Sequence, residues 1–544
     1  MVIGHLLNFK MNFKSTLTYD IISGFVFNSV LISIGAFYVP INNSMLYCIT
    51  LYNILLVVFN IDVFKKLCSE LNHKFNSKYG LFVFLFLIVF SAYSTANSKI
   101  NDDGLYYTQT IKWFREFGFV HGISNLHVSL GLSSSWHILQ SLYIFSESIY
   151  TNDLNGFIML VYVIYIIEKL IEKSLTTFSI IQFLFVLIIS IPFYTAPNPD
   201  FAIIVLTSIA IDVFLSKDNF TFIILIGIFS FTIKISAIFI LVLGLYCFFK
   251  QYKIVIKNKY LIIITISMLL LLLLKNIFQT AYPFYPLKFF SINILDWKTP
   301  EPIIDYFLHG IKTWAYSDNL KFDNVQLQYN TSYLEITNRM LNRVGAKGLI
   351  NWIILLTIIG SIFLLVKQII IKKVKEPFVI LFAICFINII IWFLYAPQFR
   401  FILPVIIYLL AWILSYILDF VLFKSRVDKV APIIMLLLPL LLSIPFILGT
   451  NFKIYNSKSS EIGEIEQITL SKLVFPSKQY QFDSITSIVI NNTTFSHPKN
   501  NRYCWNVNVP CMSVGYEQML CSTFRCKISL RNDKLNNGFL LIKY

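Results

Sequence analysis

Long apolar runs separated by short polar segments dominate the hydrophobic pattern of this chain. About thirteen runs approach the ~20 residues that an α-helix needs to cross a bilayer. They lie near 17–38, 44–63, 79–96, 155–172, 176–193, 200–216, 219–232, 235–250, 258–275, 348–366, 376–395, 399–421 and 430–449. Because backbone inside lipid must satisfy its own hydrogen bonds, unbroken apolar runs predict helices. The pattern predicts an all-α polytopic membrane protein with about thirteen transmembrane helices.

Basic residues concentrate in short loops between these runs, at 65–78, 169–173, 250–259, 367–375 and 424–429. Cytoplasmic loops of membrane proteins carry an excess of lysine and arginine. We therefore predict that these loops and the N-terminus are cytoplasmic. The first apolar run lacks a cleavage site, so we interpret it as an anchor rather than a removed signal peptide.

The same charge pattern predicts that three longer polar segments, 97–154, 276–347 and 450–544, are extracytoplasmic. The chain is thereby divided into a transmembrane domain, residues 1–449, and an extracytoplasmic C-terminal domain, residues 450–544. Residues 131–148 form a short run that contains Ser, His and Gln. We interpret this run as an interfacial or re-entrant helix, because a further span would move basic loops to the outside.

Composition narrows the class of protein further. Hydrophobic residues make up 57% of the chain and charged residues only 13%, whereas soluble proteins need roughly 25% charged residues. A soluble enzyme and a disordered chain are both excluded. The net charge of +16 reflects the basic loops, and no nucleic-acid-binding motif accompanies it. We therefore expect no nucleic acid as a partner. GxGxxG, Walker, HExxH and GxSxG motifs are missing, so we expect no nucleotide cofactor, zinc proteolysis or serine hydrolase chemistry.

Four of the eight cysteines, Cys504, Cys511, Cys521 and Cys526, cluster near the C-terminus. Their spacing lacks the paired CxxC knuckles of a zinc ribbon. Disulfide bonds in an oxidising compartment fit the cluster better, and four cysteines allow three pairings. We favour Cys504–Cys511, which leaves Cys521 and Cys526 as a candidate second pair.

Two adjacent carboxylates, Asp102 and Asp103, follow the third apolar run. Neighbouring carboxylates repel each other, which favours one of them as a general base for a hydroxyl group. The alternative is that they cap a helix that begins near Leu105, because Asp suits a helix N-terminus. The spacing alone leaves both interpretations open.

Two cations on the predicted outer side break the positive-inside pattern. Lys234 lies between two apolar runs, and Arg400 opens another run. Ionisable groups at membrane depth are costly and are usually functional, although a lysine also reaches the interface by snorkelling. Both side chains suit a phosphate group. Asp200 follows Pro199 at the start of a run and is a further candidate, either for substrate binding or as a helix cap.

Aromatic and imidazole side chains of the predicted outer loops could contact a sugar or a lipid. The candidates are His127, Tyr106, Tyr282, Tyr285 and Trp297. The alternative is an interfacial aromatic belt or a structural loop, which membrane proteins have in any case.

Several short stretches resemble multi-span glycosyltransferases of the GT-C superfamily, and more closely a bacterial branch of GT-C-like proteins. These stretches are DDGLYYTQTIKW, NLHVSLGLSSSW, PNPD, TIKISA, YPFYP, DWKTP, APQFRF and CWNVNVPC. Two positions depart from that branch. Ser129 stands where the branch often has arginine, and Gln398 stands where an acidic residue is common.

The resemblance implies inverting transfer of a sugar from a polyprenyl-phosphate-linked donor to a glycan or lipid-linked acceptor at the outer face of the bacterial cytoplasmic membrane. Asp102 would deprotonate the acceptor, with Asp103 as the other candidate, while Lys234 and Arg400 hold the leaving phosphate. Some GT-C enzymes use a divalent ion, so metal dependence stays open.

Two other functions remain open at this point. An O-antigen or capsule polysaccharide polymerase also has many spans, a large outer loop and lipid-linked glycan substrates. A lipid-glycan transporter would place its charges midway through its spans. Most acidic residues here lie at the ends of predicted spans, which argues against a transporter.

Overall fold

The computed structural model describes residues 1–75, 79–95, 100, 102–144, 153–189, 191–317, 330–373, 375–422, 427–448, 485–498 and 503–543. Parts of the predicted loops and of the predicted C-terminal domain lie outside these residues, namely 76–78, 96–99, 101, 145–152, 318–329, 374, 423–426, 449–484, 499–502 and 544.

Helices form most of the described chain. In order they are α1 (Val2–Lys10), α2 (Leu17–Gly35), α3 (Asn43–Phe59), α4 (Ile61–Phe75), α5 (Gly80–Thr95), α6 (Thr108–Phe117), α7 (Ile123–Leu126), α8 (Ser135–Leu142), α9 (Asp153–Ile171), α10 (Thr177–Ile189), α11 (Pro199–Ser216), α12 (Phe220–Ile233), α13 (Ile238–Lys250), α14 (Tyr252–Lys257), α15 (Lys259–Thr280), α16 (Glu301–Thr313), α17 (Tyr333–Leu341), α18 (Ala346–Ile370), α19 (Glu376–Tyr395), α20 (Phe399–Leu422), α21 (Val427–Leu448) and α22 (Val514–Ser522). A π-helical turn, Asp103–Tyr107, directly precedes α6.

The predicted apolar runs each fall mainly on one helix, except 44–63, which crosses the break between α3 and α4. The helices differ in length. Within the described residues, seven helices are long and apolar enough to cross a membrane, or eight if the bent pair α3 and α4 is one span. They are α2, α9, α11, α15, α18, α19 and α20. The protein is therefore a helical membrane protein, whereas the predicted number of thirteen spans is not confirmed.

Three further apolar helices are shorter than a full span. Helices α10, α12 and α13 have 13 or 14 residues, which is ~20 Å at the α-helical rise. The hydrocarbon core of a bilayer is ~30 Å thick. Helix α10 ends before the 3-10 turn Ile191–Phe193. Lys234, in extended conformation, separates α12 from α13. Irregular backbone thus ends α10 and α12 short of the ~20 residues that a straight span needs.

Helices α12 and α13 pack as an antiparallel hairpin with Lys234 in its connection. A side chain at Gly227 would lie 2.8 Å from the Ile240 carbonyl, and one at Gly244 would lie 3.4 Å from the Ile223 carbonyl. Glycine permits this close approach of the two backbones. The tight hairpin fixes the position of Lys234 relative to the bundle.

The loops predicted to be cytoplasmic contact one another at one end of the helical body. Lys14 forms ion pairs with Glu172 and Asp218, and Asn258 donates to the Met11 carbonyl at 2.6 Å. The predicted outer segments instead share a separate hydrophobic cluster, which includes Trp113, Tyr285 and Phe539. The two groups of loops therefore agree with the grouping that the charge pattern predicts.

The C-terminal region adds strands that the apolar runs do not indicate. Strands β1 (Ile485–Ile490) and β2 (Thr493–Pro498) form one antiparallel pair, and β3 (Cys526–Leu530) and β4 (Phe539–Lys543) form another. Asn491 and Asn492 connect β1 to β2 with positive φ angles, as a two-residue type I′ hairpin requires. The helical body agrees with the all-α prediction, and this region is mixed.

The predicted disulfide bond joins Cys504 to Cys511. Cys521, in α22, and Cys526, in β3, are free thiols, so the candidate second pair is not formed. The Cys526 thiol instead donates to the Phe524 carbonyl at 3.2 Å.

The segment 131–148 contains the short helix α8 and extends beyond the described residues after position 144. Eight residues span only ~12 Å, which is too short to cross a bilayer. Its side chains from Trp136 to Leu142 are buried, and Trp136 donates to the Asn155 side chain at 2.7 Å. Helix α8 is thus packed inside the body.

Candidate active site

Asp102 lies in the first predicted outer segment, residues 97–154, hereafter the first loop. Its carboxylate forms a salt bridge with Arg400 at the start of α20. The Tyr107 hydroxyl lies 3.4 Å from the same carboxylate oxygen. Asp102 immediately precedes the π-helical turn and makes no side-chain capping hydrogen bond. Helix capping therefore does not account for its position.

A second carboxylate, Asp200, lies in the first turn of α11 and binds Lys234 with an Oδ1–Nζ distance of 2.5 Å. Asn198 is the N-cap of that helix, since its side chain accepts from the Asp200 backbone amide at 2.8 Å, and Pro199 occupies the first turn. Asn followed by Pro is a favourable helix start. Asn198, not Asp200, caps the helix, which leaves the Asp200 carboxylate for the lysine.

The two ion pairs meet at the ring of Phe401. The Lys234 ammonium lies 4.5 Å and the Arg400 guanidinium 4.9 Å from its centroid. Both cations gain cation–π attraction from this ring. Four sequence-predicted residues thus form one cluster with two positive and two negative charges, hereafter the charge cluster (Asp102, Asp200, Lys234 and Arg400).

Three members of the charge cluster are partly accessible. The side chains of Asp102, Lys234 and Arg400 are 19%, 20% and 22% exposed, whereas that of Asp200 is 3% exposed. Charges at a partly buried site interact more strongly than charges in water, so an incoming anion would be attracted by both cations. It would compete with the carboxylates for them.

Arg400 is oriented by a second group, Gln398. Its side-chain oxygen accepts from the Arg400 Nε at 3.1 Å, and its amide donates to the Ile311 carbonyl at 2.7 Å. Glutamine orients the guanidinium without adding a charge to it. The sequence indicates Gln398 only as a departure from the GT-C-like pattern and does not predict its contact with Arg400.

Tyr106 and Tyr107 line the charge cluster from the π-helical turn. Their rings contact at 4.5 Å, and both are buried. Burial, followed by the nearby Asp102 carboxylate, raises the pKa of Tyr106 above its ordinary range. Burial and then Tyr106 raise the pKa of Tyr107 in the same way. Both hydroxyls are therefore neutral, and that of Tyr107 donates toward Asp102.

Asp103 has different surroundings from its neighbour. Its side chain is fully buried and accepts a hydrogen bond from the Thr108 hydroxyl at 2.6 Å. This contact links the π-helical turn to the start of α6. Of the two adjacent carboxylates, only Asp102 contacts the cations of the charge cluster.

The other predicted substrate contacts lie in the packing between loops. The Tyr285 hydroxyl donates to the Val128 carbonyl at 2.7 Å, and the Tyr282 hydroxyl donates to the Thr299 carbonyl at 2.8 Å. The Trp297 indole donates to the Ile277 carbonyl at 3.1 Å. His127 accepts from the Ser129 amide and packs its ring 4.5 Å from Tyr516. The structure does not bring these four into the charge cluster.

One residue that sequence reasoning missed organises the turn before Asp200. The Asn155 side chain donates to the carbonyls of Phe193 and Ala196 at 3.0 and 2.6 Å. Its oxygen accepts from the Trp136 indole. Asn155 lies in the polar stretch TNDLNG at the start of an apolar run, so no sequence pattern distinguished it from its neighbours. Among the described residues, no three His, Cys, Asp or Glu side chains gather as metal ligands.

Residues 1–407 match the family described as a domain of unknown function (DUF8201). The chain belongs to this family. The match contains every member of the charge cluster, whereas the C-terminal region lies beyond it. No curated protein and no solved structure matches the chain.

Proposed function

We propose that this protein is a glycosyltransferase of the GT-C type that transfers a sugar from a polyprenyl-phosphate-linked donor to a glycan or lipid-linked acceptor. The observation that supports this proposal is the charge cluster, in which a partly exposed carboxylate and two cations lie beside one another. The donor carries an anion for the cations, and the acceptor carries a hydroxyl for the carboxylate.

In the proposed reaction the donor phosphate binds the two cations of the charge cluster. Arg400 and Lys234 donate to its oxygens, which weakens the salt bridge between Arg400 and Asp102. The freed carboxylate accepts the proton of the acceptor hydroxyl as that oxygen attacks the anomeric carbon. The bond from that carbon to the phosphate oxygen breaks with inversion. Both electrons stay on the polyprenyl phosphate, whose charge the cations stabilise.

We further propose that the charge cluster faces the outer side of a bacterial cytoplasmic membrane. The basic loops at the opposite end of the helical body support this orientation through the positive-inside rule. The Cys504–Cys511 disulfide bond also supports it, because such bonds persist in oxidising compartments. Membrane lipids surround the exposed apolar side chains of α15, α18 and α19.

The test is sugar transfer from a synthetic lipid-linked donor by protein in liposomes, with Asp102→Asn and Asp103→Asn as a matched pair. Asp102→Asn removes the base and is expected to lower the rate by about 10² to 10⁴-fold. Asp103→Asn, normalised to folded protein, should retain activity within about tenfold. Undiminished transfer by Asp102→Asn would remove the base from the proposal. A product of many sugar units from one acceptor would favour the polymerase alternative.

A further inference from the structure

The disulfide bond closes a short segment, residues 504–511, hereafter the disulfide loop. One end of this loop is attached to strand β2. The Ser496 amide donates to the Pro510 carbonyl at 2.9 Å, and the Met512 amide donates to the Ser496 carbonyl at 3.0 Å. The loop is therefore held both by its own cross-link and by a strand of the C-terminal region.

The disulfide loop presents three consecutive carbonyl groups to helix α6. The Gln109 amide donates to the carbonyls of Trp505 and Val507, both at 2.8 Å. The Lys112 ammonium donates to the carbonyls of Asn506 and Val507 at 2.6 and 3.1 Å. These convergent contacts hold one face of α6 against the loop.

The same loop reaches the π-helical turn that begins one residue after Asp102. The Trp505 amide donates to the Gly104 carbonyl at 2.9 Å. A side chain at Gly104 would lie only 2.5 Å from the Trp505 ring, so the indole packs directly on the backbone of this turn. A π-helical turn is an uncommon conformation that is frequent at functional sites. The loop therefore covers the backbone that carries Asp102.

We propose that the disulfide loop is a positioning element that holds the Asp102 backbone in register with Arg400, and that Trp505 is its positioning residue. The inference rests on the proposed function for its consequence in catalysis, but its structural part is independent of that function. Trp505 contacts the Gly104 backbone. It acts on Asp102 through the π-helical turn, which begins directly after Asp102.

The cross-link matters because the loop makes its contacts with backbone groups. Its three carbonyls must face α6 while the Trp505 amide faces the π-helical turn. A segment without the cross-link would populate many other conformations. A disulfide bond removes many of these conformations. Opening the bond should therefore loosen the turn that carries Asp102 while leaving the helical body intact.

The first experiment is hydrogen–deuterium exchange of the full-length protein in lipid nanodiscs. The Cys504→Ser/Cys511→Ser variant is compared with Cys521→Ser/Cys526→Ser, which removes two thiols of the same region that form no disulfide bond. We expect at least tenfold faster exchange at residues 103–117 in the first variant, with α11 unchanged in both. Identical exchange at 103–117 in the two variants would overturn the proposal, whatever the activity of the protein.

The second experiment measures sugar transfer by Trp505→Ala and Trp505→Phe. A positioning role predicts that Trp505→Ala lowers kcat at least tenfold with little change in KM for the donor, and that phenylalanine restores most of kcat. A fall in the amount of folded protein without a change in kcat would contradict the role. If the wild-type protein shows no transfer while the exchange result holds, the proposed function fails and the positioning of the turn stands.

Discussion

Asp102 and Arg400, 298 positions apart in the chain, form a salt bridge that joins the first loop to the start of α20. The guanidinium uses two different nitrogens, one toward Asp102 and one toward Gln398. Lysine carries the same charge but cannot reproduce this fork. Arg400→Lys should therefore raise KM for the lipid-linked donor by at least tenfold, which corresponds to about 1.4 kcal/mol. A donor titration with an unchanged KM would exclude a directional role for the guanidinium.

Lys234 is expected to contribute to binding of the lipid-linked donor through its positive charge. Lys234→Met keeps the length of the side chain and removes the ammonium, which also leaves the buried Asp200 carboxylate without its ion pair. We expect a higher KM for the donor and a less stable α11. Lys288→Met is the control, because this lysine pairs with Asp305 on an exposed surface, where ion pairs contribute roughly 0–1 kcal/mol. Equal donor titrations for the two variants would contradict phosphate binding by Lys234.

The members of the charge cluster could be selected from the sequence because charged residues at the ends of apolar runs are conspicuous. Their pairing could not be predicted. No local pattern links Asp102 to Arg400, and only the packing of α11, α12 and α20 brings Asp200, Lys234 and Phe401 to one place. The Cys504–Cys511 bond was the favoured one of the three pairings that the sequence allowed, but spacing alone did not decide the connectivity, since the candidate pair Cys521–Cys526 is not formed.

Aromatic residues were harder to assign for a physical reason. A tyrosine that packs on a neighbouring loop and a tyrosine that contacts a sugar have the same sequence signature, as Tyr285 illustrates through its bond to Val128. The β1–β2 hairpin was missed although Asn491 and Asn492 between two alternating segments are a hairpin signal. The strength of the apolar pattern elsewhere obscured it.

Asn155 should be a major contributor to stability although it does not contact the charge cluster. Asn155→Leu leaves the Trp136 indole and the carbonyls of Phe193 and Ala196 without their buried partner. The expected loss is about 3 kcal/mol, because each unsatisfied buried polar group is costly. Asn53→Leu is the matched control, since within the described part of the chain Asn53 donates only to the Ile49 carbonyl of its own helix. Thermal unfolding of the two variants in detergent should differ clearly, and equal midpoints would refute this assignment.

Acid should destabilise the packing of the C-terminal region on the first loop. Burial lowers the pKa of His127, which packs on Tyr516, to about 4. Burial, with Arg531 nearby, lowers the pKa of His121 to about 4 as well. An unfolded histidine binds its proton near pH 6.5, so the folded state binds fewer protons between pH 6.5 and 4. Stability should therefore be lost as the pH falls through this window.

Protonation of His127 should lower the free energy of unfolding by on the order of 3 kcal/mol at pH 4. Protease sensitivity of the C-terminal region between pH 7 and 4 measures it, with far-UV circular dichroism as a check on the helical body. His127→Gln cannot be protonated and should flatten the dependence. The same pH profile in the variant and the wild type would show that other groups control acid sensitivity.

The number of free thiols shows whether the C-terminal region contains one disulfide bond, as in the structure, or two, as the cysteine spacing also allows. Six cysteines are free and two are bonded. Alkylation of denatured, unreduced protein should therefore modify six thiols, and reduction should expose two more. The Cys526 thiol is buried and bonded to a carbonyl, which opposes pairing with Cys521. Intact mass spectrometry counts the modified thiols directly. Modification of only four before reduction would mean that Cys521 and Cys526 are also joined, whereas modification of all eight would remove the cross-link on which the disulfide loop depends.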